Sequence, residues 1–457
     1  MKRNRFGVDW NSVRGTQFWK RPQLGRRMFF RHVGAAVGGY FLMPSRPMET
    51  VGRAAGSPIG RAKNCIFFLL TGAPSHADTF DLKEGAWTPS FFNPTSYGDL
   101  RFPQGLMPKI ASQLDSIAFL RSVRAWNTAH PLAQTWVQIG RNPISGLAKV
   151  APHIGSVVGM ELGAKAPDKP LPVFMSLNAQ SGPGEGYFPP QYGPFYVSPG
   201  GGGLPNTRHA DGEAALNRRF AMALDIDSEM RSTLGIGEPA AQLTKFVEQA
   251  RGMMYNADIE KIFTFDATVR NSYGNTAFGN ACVTARNLLR ANLGTRFIQI
   301  SFGSWDHHSN IYQANANLQA MSRTFDNGLG QLLTDLKQDG TLDDTLIVAL
   351  GEFGRTTGPL NSTAGRDHLL TQSVMVAGGR IRGRRAIGAT DKVGLEILEP
   401  GWSGDREIKP EDIEATIYSA LGIDWTTVRY DDPFKRGFEY VPQTDRVKYN
   451  PVHELWG

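Results

Sequence analysis

The stretch Asp344-Thr-Leu-Ile-Val-Ala-Leu-Gly-Glu-Phe-Gly-Arg355 passes from an apolar run to charged residues with no spacer. A short apolar run bounded by Asp and Gly reads as a strand buried on both faces. Gly351 ends it, and Glu352 and Arg355 fall in the turn that follows. The same order recurs upstream. Arg296-Phe-Ile-Gln-Ile-Ser301 runs into Gly303-Ser-Trp-Asp-His-His308, and Asn64-Cys-Ile-Phe-Phe-Leu-Leu-Thr71 runs into Gly72-Ala-Pro-Ser-His-Ala-Asp78. A further polar motif, Gly365-Arg-Asp-His368, stands just before the apolar run Gln372–Ala377.

Working outward, Ile117–Val123 and Pro172–Leu177 read as further strands. Helical patterning covers Thr128–Ile139, much of 211–293, Asn315–Leu336 and Pro410–Leu421. Asn127 or Thr128 suits the cap of the first of these, and Pro410 the start of the last. Met253, Met254, Phe263 and Phe265 are expected in the core. Strand–helix alternation predicts an α/β fold with a mostly parallel central sheet sandwiched by helices. In such sheets, binding sites form at the carboxyl ends of strands. A Gly/Pro/Tyr-rich loop over 181–206 and the helical residues up to 293 read as an insert in a single large domain, 61–457.

Residues 1–60 read differently. Nine Lys or Arg against one Asp give residues 1–32 a charge of +8, so the chain's net +7 leaves −1 for the remainder. A basic footprint confined to one end argues against a nucleic-acid partner for the folded part. It suits contact with an anionic membrane surface. Gly25-Arg-Arg-Met-Phe-Phe-Arg31 precedes the apolar stretch Val33–Met43, which is too short to span a bilayer but suits a signal core. Paired arginines before two phenylalanines are similar to a twin-arginine export signal. The expected location is therefore the periplasm, or the outer side of the inner membrane if the segment is retained. Cys65 and Cys282 form no Cys-x-x-Cys or haem motif and read as small buried residues, with a single disulfide open as the alternative.

The chain has nine histidines, and three of them lie in the C-terminal motifs. Carboxylates beside imidazoles are what a divalent metal needs. Asp306 and His308, two apart, share a face if the strand extends that far. His307 then points away. Asp78 offers a carboxylate after the first strand, and Glu352 another. Asp367 is placed to orient an imidazole. Arg355 suits either an oxyanion or a salt bridge to Glu352 or Asp367.

Asp-Thr-Phe-Asp81, Trp-Asp-His-His308, Gly-Glu-Phe-Gly-Arg-Thr356 and Gly-Arg-Asp-His368, in this order, resemble domain-of-unknown-function family 1501. That family is placed in the alkaline-phosphatase and sulfatase superfamily. The resemblance implies an alkaline-phosphatase-like fold with metal held by Asp78, Asp306, His308, Glu352 and His368. Zn, Mn, Mg and Ca are the expected metals. Phe353 stands where a histidine ligand is normally found, which leaves a second metal position around Asp78 and Glu352 short of a ligand. The resemblance also implies a nucleophile at a helix start. Thr128 matches, with His130 and Asn127 assisting; Ser75 is a weaker alternative, and Arg355 would stabilise charge. Neither cysteine sits in a sulfatase-type nucleophile context.

The expected activity is hydrolysis of a phosphate or sulfate ester, small or polysaccharide, by an exported metal-dependent enzyme. The alternative is a catalytically silent binding or structural subunit of a cell-envelope complex. The aromatic loop Tyr187–Tyr196 is the one feature that suggests a polysaccharide-binding module.

Overall fold

The computed structural model describes residues 57–163, 169–234, 247–443 and 447–457. The expected export signal lies outside the described residues, as does the linker up to residue 56. Residues 55–457 form one unit.

Eight strands build the central sheet: β1 (Asn64–Leu69), β2 (Ile117–Arg124), β3 (Phe174–Leu177), β4 (Phe195–Val197), β5 (Phe297–Ser301), β6 (Thr345–Leu350), β7 (Thr371–Gly378) and β8 (Arg385–Ile387). Their order is β8-β2-β7-β6-β1-β5-β3-β4. Every neighbouring pair is parallel except β7 with β2 and with β6. The expected mostly parallel sheet is therefore present. Two short strands at its edges were not legible. β4 lies inside the Gly/Pro-rich loop, and β8 is an Arg-Ala-Ile triplet with too few apolar residues to register as a strand.

Side chains alternate across a strand, and both faces of β1 are buried. Ile66 and Phe68 enter one core with α3 (Ala277–Ala291), α4 (Asn317–Phe325) and α5 (Gln331–Gln338). Cys65, Phe67 and Leu69 enter a second core on the opposite face. There α1 (His130–Ile139), α2 (Ile154–Gly163) and α6 (Pro410–Ala420) supply Val137, Val157, Ile413 and Ile417. This is why the strand sequences read as unbroken apolar runs. It also keeps the cysteines apart, because Cys65 and Cys282 belong to opposite cores and both are free. Phe68, with no exposure, packs edge-on to Phe325 at 6.2 Å. Truncating such a residue to Ala costs about 3–5 kcal/mol.

Register brings the strand ends together. Leu69 pairs with Ser301 on one side and Leu350 on the other, so the carboxyl ends of β1, β5 and β6 are level. Because β7 is antiparallel, its first residue, Thr371, pairs with Arg124 at the end of β2. His368, three residues before β7, thus comes to the same edge as the residues that follow the parallel strands. Among the described residues, no helix is long and apolar enough to cross a membrane.

Candidate metal centre

The loop after β5 carries Asp306 and His308 because Trp305 anchors it. Trp305 is buried and meets Phe302 and Phe325 edge-on at 5.6 and 6.2 Å. The next residues alternate, so Asp306 and His308 face solvent and His307 turns inward, although the strand itself ends at Ser301. Burial and the Arg355 charge push the His307 imidazole down to about 4, so this ring is neutral and stands apart from the cluster. Gly72 lets the loop after β1 approach closely. Its φ is +94°, and a Cβ there would stand 2.7 Å from the Asp306 amide nitrogen. Only glycine meets both demands without strain.

Four donor groups converge. His130 Nε2 lies 3.1 Å from His368 Nε2 and 3.4 Å from Asp306 Oδ2. His308 Nε2 lies 3.0 Å from His368 Nε2 and 2.9 Å from Asp306 Oδ1. His368 Nε2 is 3.6 Å from Asp306 Oδ1. One donor atom each from His130, Asp306 and His368 falls within 4.8 Å of the other two. The Asp306 and His308 side chains are 42% and 44% exposed, so the cluster opens to solvent.

A second layer stands behind the imidazoles. Glu352 is fully buried, and its Oε1 accepts from His130 Nδ1 at 2.5 Å, Gly72 N at 3.0 Å and Gln134 Nε2 at 3.0 Å. His130 and Gln134 are one helical turn apart on α1 and share a face. Asp367 Oδ1 is 2.7 Å from His308 Nδ1. Beneath the cluster, Arg355 is 1% exposed. It donates to Ala73 O (3.1 Å), Arg366 O (3.2 Å) and His308 Nε2 (3.3 Å), and also to Gly72 O and Asp306 Oδ1. Phe353 fills the remaining flank, its ring centroid 4.7 Å from His130 and 4.6 Å from His368.

Charges follow from this packing. Partial burial works against the Asp306 carboxylate. The Arg355 hydrogen bond and charge, aided by His308 and His130, nevertheless hold it below the usual aspartate value. The His368 imidazole is lowered by burial first, then by the charges of Arg355, His130 and His308. Asp367 is lowered by its hydrogen bonds to His308 and Asn361. The carboxylates are thus ionised and His368 favours its neutral form, the states a metal requires.

The donor set fits a divalent cation. A carboxylate is an acceptor, so the ring proton of His130 sits on Nδ1, toward Glu352. Arg355 donates to His308 Nε2, so that ring's proton sits on Nδ1, toward Asp367. Both Nε2 atoms are therefore acceptors, with His308 Nε2 already accepting from Arg355 at 3.3 Å, and one proton on His368 Nε2 serves only one of them. A cation held by His130, Asp306 and His368 would take the lone pairs left over. Metal–nitrogen distances of about 2.0–2.1 Å in a tetrahedral site place neighbouring donors about 3.3–3.4 Å apart. Among His130, Asp306 and His368 the separations are 3.1, 3.4 and 3.6 Å, which bracket that value.

Several expectations are met differently. Asp78 does not join the cluster. Its carboxylate is 1% exposed and is taken by Arg366 at 2.6 and 3.1 Å and by the Tyr312 hydroxyl at 2.7 Å. Glu352 stands behind His130 rather than beside it, because the imidazole lies between Glu352 and the other donors. Arg355 pairs with Asp306, not with Glu352 or Asp367, and its nitrogens are committed to the protein, which leaves no bidentate oxyanion clamp. Thr128 lies two residues ahead of α1. The helix begins at His130 with Ala129 as its cap, so an imidazole occupies the helix start expected to hold a hydroxyl. Asn127 Oδ1 accepts from Ala129 N at 2.7 Å. Ser75 is 2% exposed and buried away from solvent. Asp306, His308 and His368 do converge. His130, expected only to assist, stands among them. Gln134 and Gly72 were missed, and the i, i+4 spacing of His130 and Gln134 was the available signal for the former.

No curated protein matches the chain in sequence. Solved structures similar to it include the PsFucS1 sulfatase from Pseudoalteromonas sp., at 14% identity and TM-score 0.39, covering 80% of this chain and 68% of that one. A protein in the alkaline phosphatase superfamily from Vibrio parahaemolyticus gives 11% and 0.38, covering 81% and 70%. The C-terminal periplasmic domain of EcEptC from Escherichia coli, in complex with Zn, gives 9% and 0.38, covering 81% and 85%. The chemistry of the centre rests on its own geometry, and the sequence supplies the family: over residues 62–440 the chain matches, and so belongs to, DUF1501, a family described as proteins of unknown function.

Proposed function

We propose that this chain is an exported hydrolase of phosphate or sulfate esters that uses one divalent metal at the carboxyl edge of its sheet. The observation that carries the reading is the convergence of three imidazole Nε2 atoms and one carboxylate, with neighbouring donors 2.9–3.6 Å apart. His130, Asp306 and His368 would hold the metal, with His308 as the fourth donor. Three imidazoles favour Zn among the expected metals over Mn, Mg or Ca, which prefer oxygen. Phe353 occupies the flank beside His130 and His368, and Asp78 is sealed in an ion pair, which supports one metal rather than two.

A bound divalent metal supplies Lewis acidity toward an ester oxygen and acidifies water. The chain's own residues do the rest. Arg355 holds Asp306 ionised and ties the loops after β1 and β5 together. The exposed side of Asp306 and His308 leaves room for a substrate, small or polysaccharide, to approach. Among the described residues no hydroxyl hydrogen-bonds to the side chains of His130, Asp306, His308 or His368, so water is the attacking group this arrangement favours. Export to the periplasm, or retention on the outer side of the inner membrane, is supported by the Arg26-Arg27 segment and the apolar run after it. Its +8 charge suits anionic lipid.

A second reading, a catalytically silent protein, is favoured by one observation: Arg355 is spent on the protein and offers no oxyanion clamp. The test is metal content and turnover together. Protein purified without chelator should contain zinc and cleave p-nitrophenyl phosphate or sulfate, and His368→Ala should lose both. Tight metal with no turnover of either ester class would favour the silent reading. No metal above background, with any turnover unchanged in His368→Ala, would sink the metallohydrolase.

A further inference from the structure

We propose that Glu352 and Asp367 are positioning residues. By accepting the Nδ1 protons of His130 and His308, they aim both Nε2 lone pairs at Asp306 and His368. The proposal rests on the metal reading above and deepens it, turning a carboxylate expected among the ligands into a wall behind one.

The two walls are built separately. Glu352 Oε1 receives three N–H groups, one from the His130 ring, one from the Gly72 backbone and one from Gln134. Three donors on one oxygen fix its position, and that oxygen in turn fixes the imidazole plane. His130 and Gln134 lie on one face of α1, so Glu352 also sets the rotation of the helix start. The other oxygen, Oε2, is buried without a hydrogen-bond partner. Such a carboxylate is disfavoured unless positive charge stands close, and a cation beyond the His130 ring would provide it.

Asp367 works from the opposite, exposed side. Its Oδ2 accepts from Asn361 Nδ2 at 3.2 Å, and its backbone is pinned to Thr356 by two hydrogen bonds of 2.8 Å. The same loop grips the His308 carbonyl through Thr363 Oγ1 at 2.6 Å and Asn361 Nδ2 at 3.2 Å. His308 is thus held at ring and backbone by residues 361–367. Ala364 in that loop sits at φ +58°, unusual for a residue with a Cβ and consistent with a loop kept in shape for a task.

The test uses zinc itself, added to full-length apoprotein and read by competition with a chromophoric chelator. Losing an outer-shell carboxylate typically weakens metal affinity about 10–100-fold. Asp367→Ala should fall in that range, and Asp367→Asn, which keeps an acceptor, should recover part of it. Glu352→Gln should weaken zinc similarly, but its burial makes folding uncertain in advance; the exposed Asp367 therefore carries the decision. Zinc bound equally well by wild type and both Asp367 variants overturns the proposal. If wild type binds no zinc, the metal reading fails, and long-range ¹H–¹⁵N correlations of the apoprotein decide the positioning claim. His308 should then be an Nδ1–H tautomer whose ring proton is hydrogen-bonded and shifted downfield in wild type, and that signal should be lost in Asp367→Ala, where Arg355 still donates to Nε2 but nothing holds the Nδ1 proton. A ring-proton signal unchanged in Asp367→Ala overturns it.

Discussion

Asp78→Ala separates a ligand from a structural anion. Asp78 lies in a buried pair with Arg366, whose guanidinium has no exposure, and also accepts the Tyr312 hydroxyl. Arg366 keeps two backbone partners in the variant, Thr356 O at 2.8 Å and Gly358 O at 3.0 Å, but no counter-charge. Removing one partner of a buried pair costs about 3–5 kcal/mol, because the other charge stays buried and unpaired. Unfolding entropy of about 2.1 cal/mol/K per residue over roughly 400 residues converts this to a Tm lowered by about 4–6 °C. Zinc affinity should change less than about 3-fold, since Asp78 touches none of the donors. Calorimetric scans of apoprotein and chelator competition at 25 °C read the two quantities. A variant of unchanged Tm that loses zinc affinity would refute the reasoning and restore Asp78 as a ligand.

Two further outcomes follow from the same packing. Gly72→Ala forces a Cβ against the Asp306 and Trp305 amides and strains a φ of +94°, so it should cost about 2–4 kcal/mol and weaken zinc binding. A variant of wild-type Tm and zinc affinity would contradict the close approach of the two loops. His153 is buried against Phe174 at 4.6 Å, and burial pushes its imidazole down from 6.5 to about 3. A group that must be neutral in the fold contributes stability above pH 6.5 and loses it as pH falls toward 3. Between pH 7 and 5 this amounts to roughly 2 kcal/mol. His153→Phe should flatten the stability–pH slope over that window, and an unchanged slope would refute the assignment.

The sheet was legible because parallel strands buried on both faces leave unbroken apolar runs, as in Cys65–Leu70 and Leu346–Leu350. β4 and β8 lacked such runs, and their pairing is a tertiary matter. In the site, Asp306, His308 and His368 could be found because strand ends mark the edge where ligands gather. His130 was harder to rank. It sits at the start of α1, in a segment with a helix signal but no carboxylate beside it. Asp78 is expected among the ligands from its matching position after the first strand, and its pairing with Arg366, remote in the chain, is visible only in the folded structure. The hydrogen bond of Glu352 to His130 is hidden in the sequence for a similar reason. The distance of Glu352 from the donors depends on the His130 ring that comes between them. For Arg355 the sequence leaves open an oxyanion or a salt bridge to Glu352 or Asp367, because the carbonyls of Gly72, Ala73 and Arg366 that bind it are invisible in side-chain patterns.

The most direct measurement of the central claim is the number and place of the metal. Apoprotein titrated with zinc, then crystallised and examined at the zinc absorption edge, should hold one ion per chain. The anomalous peak should lie among His130 Nε2, His368 Nε2 and the Asp306 carboxylate, and vanish in His368→Ala. A peak at Asp78 and Glu352, two ions per chain, or no ion at all would contradict the account.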